Sequence, residues 1–323
     1  MCNRDVLSVD SRTKEVTVSN SIDLHCHSTA SDGRLTPLQV IEKAHAIGLK
    51  AIALTDHDTV AGLASFHQAG KERGIETISG VEISAEYAQG TMHIVGLFVD
   101  TKSQSFRSFL RQLADGRKIR NPQIIGKLNE LGMDITMEEV EEEAGVSDSG
   151  PGGGAIDKSV GRPHIAAVMI RKGYAKNKQD AFDRFLAKGS PAYMTRFVAS
   201  PEDSINQIHE SGGIAILAHP PYLKAANDDE MDSIVKGLKE KGLDGIEVHY
   251  STHTPAQTEL CARLAAKYDL APSGGSDFHG EIGRSGVHVE LGTGIKNTLN
   301  IPYDVLENLK ARRTKSSTRR FLH

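Results

Sequence analysis

Short apolar runs alternate with longer amphipathic stretches along this chain. Residues 22–26, 51–54, 77–83 and 93–99 read as strands, as do 214–218, 245–249 and 270–273. Helical patterns lie between them. Thr36-Pro37 offers an N-cap followed by Pro at the first helical position; Leu38, Ile41 and Ala44 keep helical spacing, and Gly48 ends the helix. Further helices are predicted after residue 54 as far as Arg73, and over 201–211, 231–241 and 255–268. The repeated strand–helix unit predicts a parallel sheet, and about seven such strands can close into a TIM-like barrel.

The rhythm breaks over 101–199. That stretch reads as mostly helical, at 106–131, 137–144, 164–172 and 179–187, with no strand alternation. It is expected to be a helical insertion that caps the substrate, with the barrel formed by 21–100 and 200–310. Within it, 138–143 is an acidic run and 149–154 a Gly-rich turn. Residues 1–20 are polar and unpatterned, as in a loose arm. The stretch 311–323 is basic, without an acid, and reads as a solvated, frayed tail.

Composition narrows the classes. With 323 residues, 38% apolar and 25% charged, the balance is that of a soluble globular protein, not collagen, a disordered chain or a coiled coil. No apolar run is long enough to span a membrane, and the first residues lack the apolar core of a secretory signal. Cys2, Cys26 and Cys261 make no disulfide framework, so the expected compartment is the reducing cytosol. A net charge of −4 argues against generic polyanion binding. The chain has 14 His and no Trp, which matters because histidine is the commonest metal ligand.

Many of these histidines fall at strand ends. In Asp23-Leu24-His25-Cys26-His27, strand alternation puts Asp23, His25 and His27 on one face, so two imidazoles can grip one ion. Thr55-Asp56-His57-Asp58 follows strand 51–54, where a barrel carries its chemistry, although Asp58 can instead cap a helix starting near Thr59. Gly80-Val81-Glu82, His93, Ala218-His219-Pro220 and Gly274-Gly275-Ser276-Asp277-Phe278-His279 extend the set. Each has a bland explanation: Glu82 as a surface charge, His93 as a core residue. Together they exceed the three protein ligands of a mononuclear catalytic zinc and suit two or three metals bridged by a carboxylate.

The ordered motifs DLHCH, TDHD, GVE, His93, AHP and GSDFH resemble the PHP (polymerase and histidinol phosphatase) family of metal-dependent phosphoesterases, over 22–100 and 210–280. The resemblance implies an α/β fold, a distorted (β/α)7 TIM-like barrel with metals at its C-terminal rim. It implies one metal on His25, His27, Glu82 and Asp277, a second on Asp32, His57 and His279, and a third on Glu82, His93 and His219. Glu82 is then the bridge. Some family members carry His where this chain has Asp32. The implied cofactors are two or three divalent ions; a mixed imidazole and carboxylate set fits Mn²⁺, Fe²⁺ or Zn²⁺.

The chemistry expected is in-line attack on a phosphomonoester by a metal-bridging hydroxide at a trinuclear site, with His25, His27, Glu82 and Asp277 central to catalysis. Glu247-Val248-His249-Tyr250 ends another strand, and His249 or His253 can face the pocket as a proton donor. Gly161-Arg162-Pro163-His164 opens a helix where Arg162 and His164 can meet phosphate; Arg117, Arg120, Lys188, Tyr193 and Arg196 are further candidates. The pattern GRPH … AF..FLAKGSPAY … AHP is similar to the subgroup acting on nucleoside 3′,5′-bisphosphates and related nucleotides, some of which trim short RNAs from the 5′ end.

The expected partner is therefore a small phosphorylated substrate, a nucleoside 3′,5′-bisphosphate or an AMP-like nucleotide. The alternatives are a 5′-to-3′ exonuclease on short oligonucleotides, a histidinol-phosphatase and a non-catalytic metal-binding module. Scarce aromatic residues and net acidity weigh against long nucleic acids. A relict site requires missing ligands, and no motif position is lost. The 149–154 turn lacks the Lys-Ser/Thr of a P-loop, and no G-x-S-x-G is present.

Overall fold

The strand-like runs assemble into one eight-stranded sheet, seen in a computed structural model that describes residues 21–146, 158–280 and 288–320. The strands are β1 (Ser21–Asp23), β2 (Ala51–Leu54), β3 (Glu76–Ala85), β4 (Met92–Leu97), β5 (Ile214–Leu217), β6 (Gly245–Tyr250), β7 (Ala271–Gly275) and β8 (Ile301–Pro302). They lie in the order β7-β6-β5-β4-β3-β2-β1-β8. Beyond β1 the chain runs on beside the end of β7. Leu24 N–H donates to the Gly274 carbonyl (3.2 Å), Asp277 N–H to His25 (2.8 Å) and His27 N–H to Phe278 (2.8 Å). These bonds nearly close the sheet into a barrel, as expected for the fold class.

The sheet is not wholly parallel. β4 runs antiparallel to both β3 and β5. Only residues 86–91 separate β3 from β4, too few for a helical crossover, so the two form a hairpin. The consequence is functional. The first residues of β4 lie at the rim where the parallel strands end, with His93 paired to Ser84 of β3. β8, antiparallel to β1, went unpredicted because two residues carry no periodicity.

Helices surround the sheet: α1 (Pro37–Ala46), α2 (Leu63–Arg73), α3 (Gln104–Glu130), α4 (Met137–Glu143), α5 (Arg162–Arg171), α6 (Lys178–Ala181), α7 (Pro201–Glu210), α8 (Asp228–Glu240), α9 (Pro255–Lys267) and α10 (Tyr303–Arg320). The start of α1 is the expected one: Pro37 opens it, and Thr36 and Gln39 satisfy each other's backbone N–H groups in a capping box. Helices α3 to α6 bury an apolar cluster of their own, including Ile124, Leu128, Val140, Ile165 and Met169. A π turn, Phe182–Leu186, follows α6. This helical layer rests on the barrel through Ser159 N–H to the Ala30 carbonyl (2.9 Å), Glu86 N–H to Ala199 (2.8 Å) and Lys188 Nζ to Ala88 (2.7 Å).

The basic stretch from 311 to 320 is the end of α10 rather than a frayed tail. Arg312 pairs with Asp269 and Arg313 donates to the Gly212 carbonyl, so these two side chains help to dock the helix. The arm at 1–20, the Gly-rich turn at 149–154 and residues 321–323 lie outside the described residues. No helix among the described residues is long and apolar enough to cross a membrane.

Candidate metal and phosphate site

Glu82, buried on β3, sits at the centre of the histidine cluster. Its Oε1 lies 2.6 Å from His93 Nδ1 and 2.8 Å from His219 Nε2. Its Oε2 lies 2.8 Å from His57 Nδ1 and 3.3 Å from His27 Nε2. Asp277 Oδ1 faces His27 Nε2 at 3.1 Å and His25 Nε2 at 3.4 Å. Asp32 Oδ1 lies 3.2 Å from His279 Nε2 and 3.8 Å from His57 Nε2.

These atoms form three overlapping groups, each with ligand atoms within 4.8 Å of one another and each able to hold a metal ion. One is His25, His27, Glu82 and Asp277, the grouping expected from the motifs. The second is Asp32, His57 and His279, joined here by His27. The third brings Glu82 and His93 together with His57, and His219 Nε2 reaches the same Glu82 oxygen, 3.3 Å from His93 Nδ1.

The donors fit a cation cluster. Nε2 of His25, Nε2 of His27 and Oε2 of Glu82 are buried without a well-directed hydrogen bond among the described residues, an expensive arrangement unless something positive binds them. The electrostatics agree. Burial opposes charge on Glu82, yet the imidazoles of His57, His93 and His25 and a hydrogen bond from His219 hold it well below the usual carboxylate range. Burial opposes charge on His27 too, but the Asp277 and Glu82 carboxylates raise it to about 9. Acids and imidazoles this close need positive charge between them, protons or metal ions.

The supporting carboxylates are separate. Asp23 does not join the cluster: it accepts from Ser276 N–H (2.9 Å), Ser276 Oγ (2.5 Å) and Gly292 N–H (2.8 Å), tying β1 to the loop after β7. Asp56 accepts from Ser28 N–H and from the Ser28 and Ser31 hydroxyls, fixing the loop that carries Asp32. Asp58 (φ 54°), His219 (φ 28°) and Asp277 (φ 54°) occupy left-handed backbone conformations, each costing about 1–3 kcal/mol. Backbone bonds hold two of them in place: Asp58 N–H to Glu82 O (3.0 Å) and Asp277 N–H to His25 O (2.8 Å).

The glycine in GSD has a packing reason. A Cβ on Gly275 would stand 2.2 Å from His25 Cβ and 2.5 Å from His25 N, and backbone cannot yield as a flexible side chain can. Gly275→Ala is therefore expected to destabilise the protein by about 1–3 kcal/mol and to displace His25. Urea unfolding and metal content after gel filtration check this; wild-type values in both would refute the steric argument.

A cavity of about 750 Å³ opens beside the cluster, lined in part by Asp32, His57 and His93. Arg117, Arg120, Arg162, Lys188, Tyr193 and Arg196 also line it. Asp58 is not a helix cap, since α2 begins at Leu63 behind Gly62. Instead its buried carboxylate clamps two arginines: Arg117 through Nε (3.0 Å) and Nη2, and Arg196 through Nη2 (3.0 Å). Burial alone would raise Asp58, but these guanidiniums hold it well below the carboxylate range. Arg162 donates to the Leu186 carbonyl and lies against the Phe182 and Tyr193 rings (5.5 and 5.6 Å). Burial and the neighbouring guanidiniums of Arg117, Arg162 and Arg196 push Arg120 down to about 8.

Three expected residues are placed elsewhere. His164 is buried and turns its Nδ1 to the Gly161 N–H (3.1 Å), closing the start of α5. His253 bonds through Nδ1 to the Val248 carbonyl (3.1 Å) and lines a separate groove with Thr252 and Thr298. His249 does not line the cavity either; burial lowers its imidazole, partly offset by Asp304 on α10. The cause is a β-bulge between Glu247 and His249, which breaks the alternation and turns Tyr250 inward instead. Tyr250 Oη donates to Asp277 Oδ2 (2.7 Å), and Glu247 meets His25. Sequence reasoning missed Glu247 and Tyr250 as site residues, and Lys178, which also lines the cavity.

Comparison with known proteins agrees with this geometry. Residues 23–151 match the model of the PHP domain family. The chain is 36% identical over 276 residues to a 5′-3′ exoribonuclease of Haemophilus influenzae, covering 85% of this chain and 94% of that protein. The chain belongs to the PHP domain family. A 3′,5′-nucleoside bisphosphate phosphatase of Chromobacterium violaceum is 34% identical, covering 84% of this PHP chain and 92% of the relative. A crystal structure of a candidate metal-dependent phosphoesterase from Bifidobacterium adolescentis superposes with a TM-score of 0.76 at 28% identity, covering 91% of this chain and 96% of that one. This PHP protein is a metal-dependent phosphoesterase, a hydrolase of phosphoric ester bonds.

Proposed function

We propose that this PHP enzyme removes a phosphate from a nucleotide that carries a second phosphate, with a nucleoside 3′,5′-bisphosphate as the preferred substrate. The observation that carries the reading is one cavity lined by two unlike sets of side chains: Asp32, His57 and His93 of the cluster, and the guanidiniums of Arg117, Arg120, Arg162 and Arg196. A monoester with a single phosphate has no use for the second set. The bisphosphate phosphatase among the relatives supports the same substrate class.

In this reading His25, His27, Asp32, His57, Glu82, His93, His219, Asp277 and His279 hold two or three divalent cations. Bound there, such ions lower the pKa of water to about 7 and polarise phosphoryl oxygens. The chain supplies the rest. Glu82 spans the groups and keeps their spacing short. Asp58 fixes Arg117 and Arg196 at a set distance from His57, its neighbour in the chain. Arg120 and Arg162 offer planar donors suited to phosphate oxygens.

The same guanidiniums would hold the 5′-phosphate of a short oligoribonucleotide, a second reading favoured by the exoribonuclease relative. A phosphate-release panel separates them. A nucleoside 3′,5′-bisphosphate is expected to exceed the corresponding 3′-monophosphate, and histidinol phosphate, by about 10- to 100-fold in kcat/KM, the worth of one charge-assisted hydrogen-bond set. Product analysis on a 5′-phosphorylated trinucleotide reports the alternative. Equal rates on bisphosphate and monophosphate would remove the basis of the proposal.

A further inference from the structure

The bulge in β6 brings a second buried carboxylate beside the cluster without placing it among the groups that can hold an ion. Glu247 is 1% exposed. Its Oε1 lies 2.8 Å from His25 Nδ1, and its Oε2 accepts the backbone N–H of His219 at 2.6 Å. One side chain thus ties together two histidines of the cluster, one just after β1 and one in the turn after β5, whose Nε2 atoms both face Glu82 Oε1.

A carboxylate can only accept, so the His25 nitrogen facing it carries hydrogen. A neutral His25 then has its lone pair on Nε2. That atom points to Asp277 Oδ1 (3.4 Å) and Glu82 Oε1 (3.5 Å). The bond to His219 N–H acts where the backbone is strained, at φ 28°. It holds the turn that aims His219 Nε2 at Glu82 Oε1, 2.8 Å away.

We propose that Glu247 is a positioning residue: it fixes His25 as the Nδ1–H tautomer and pins the His219 turn, so that both rings present Nε2 to the cations. Carboxylates that orient a ligating imidazole through its other nitrogen act in this way, and their loss typically costs about 10- to 100-fold in metal affinity. The inference rests on the reading of His25 and His219 as metal-holding residues.

The test uses the full chain loaded with zinc. A long-range ¹⁵N–¹H spectrum of the wild type is expected to show His25 protonated at Nδ1 and metal-shifted at Nε2; the reverse pattern overturns the proposal without any variant. Zinc affinity by chelator competition is then compared in Glu247→Gln, which keeps one acceptor oxygen, and Glu247→Leu, which keeps none. The expected order is wild type, then Gln, then Leu, with Leu weakened by about 10- to 100-fold for at least one ion. A Leu variant within about twofold of wild type overturns the proposal; if Leu does not fold, Gln within that range does so. His25→Ala separates the two readings. Its retention of every ion would sink the ligand assignment and this proposal together. Its loss of an ion, with affinity unchanged in the Glu247 variants, would sink this proposal alone.

Discussion

Glu82→Gln is expected to lower phosphate release by at least about 10³-fold and to reduce the number of metal ions retained per chain. No other side chain of the cluster is so shared. Each Glu82 oxygen faces two imidazole nitrogens within 3.3 Å, and Oε1 has His25 Nε2 at 3.5 Å besides. Glutamine has nearly the same volume, so packing around the buried site is preserved. The chemistry is not. The negative charge is lost, and one oxygen becomes an NH₂ group that can accept nothing. That group must face either His57 and His27 or His93 and His219. Elemental analysis after gel filtration, circular dichroism and a phosphate-release assay read the three consequences. A folded variant that keeps its full complement of ions and near wild-type turnover would show that Glu82 is not the common link.

Much of this centre was legible in the chain because strand chemistry is local. Period-two alternation put His25 and His27 on one face, and apolar runs ending at His57, His219 and Asp277 marked a common rim. What was not legible depends on geometry the local pattern does not encode. His93 opens a strand rather than ending one, and it reaches the rim only because β4 folds back as a hairpin. The β6 bulge is a one-residue slip, and a slip exchanges the two faces of a strand. Strict alternation would put His249 on the same face as Glu247, whereas the chain delivers Tyr250. Asp58 lies where the chain leaves a strand and looked like a helix cap, because its actual partners come from 59 and 138 residues away. Arg312 and Arg313 of α10 resembled part of a solvated tail because their acceptors, Asp269 and the Gly212 carbonyl, also lie far away in the chain.

The guanidiniums that line the cavity lead to the second large effect. Arg120→Gln is expected to raise KM for a nucleoside 3′,5′-bisphosphate by about 10- to 100-fold while changing kcat/KM for a 3′-monophosphate little; a hydrogen bond to a charged group is worth about 1.5–3 kcal/mol. Arg120 is 4% exposed, and its guanidinium donates to the Asn121 side-chain oxygen through Nε (3.2 Å) and Nη2 (2.7 Å). Asp58, a carboxylate whose charge acts on Arg120, is engaged by Arg117 and Arg196. Positive charge is thus gathered in a buried place beyond what the local acid offsets, and a bound phosphate dianion would relieve the repulsion. The same imbalance predicts the sign of a second observable. Removing one of the mutually repelling charges should leave the ligand-free protein as stable as wild type or more so, a site optimised for binding at the expense of the empty fold. Steady-state kinetics on the two substrates and thermal unfolding without ligand test both halves. Equal losses on bisphosphate and monophosphate, accompanied by a fall in the unfolding midpoint, would make Arg120 a support of the fold rather than a contact for the second phosphate.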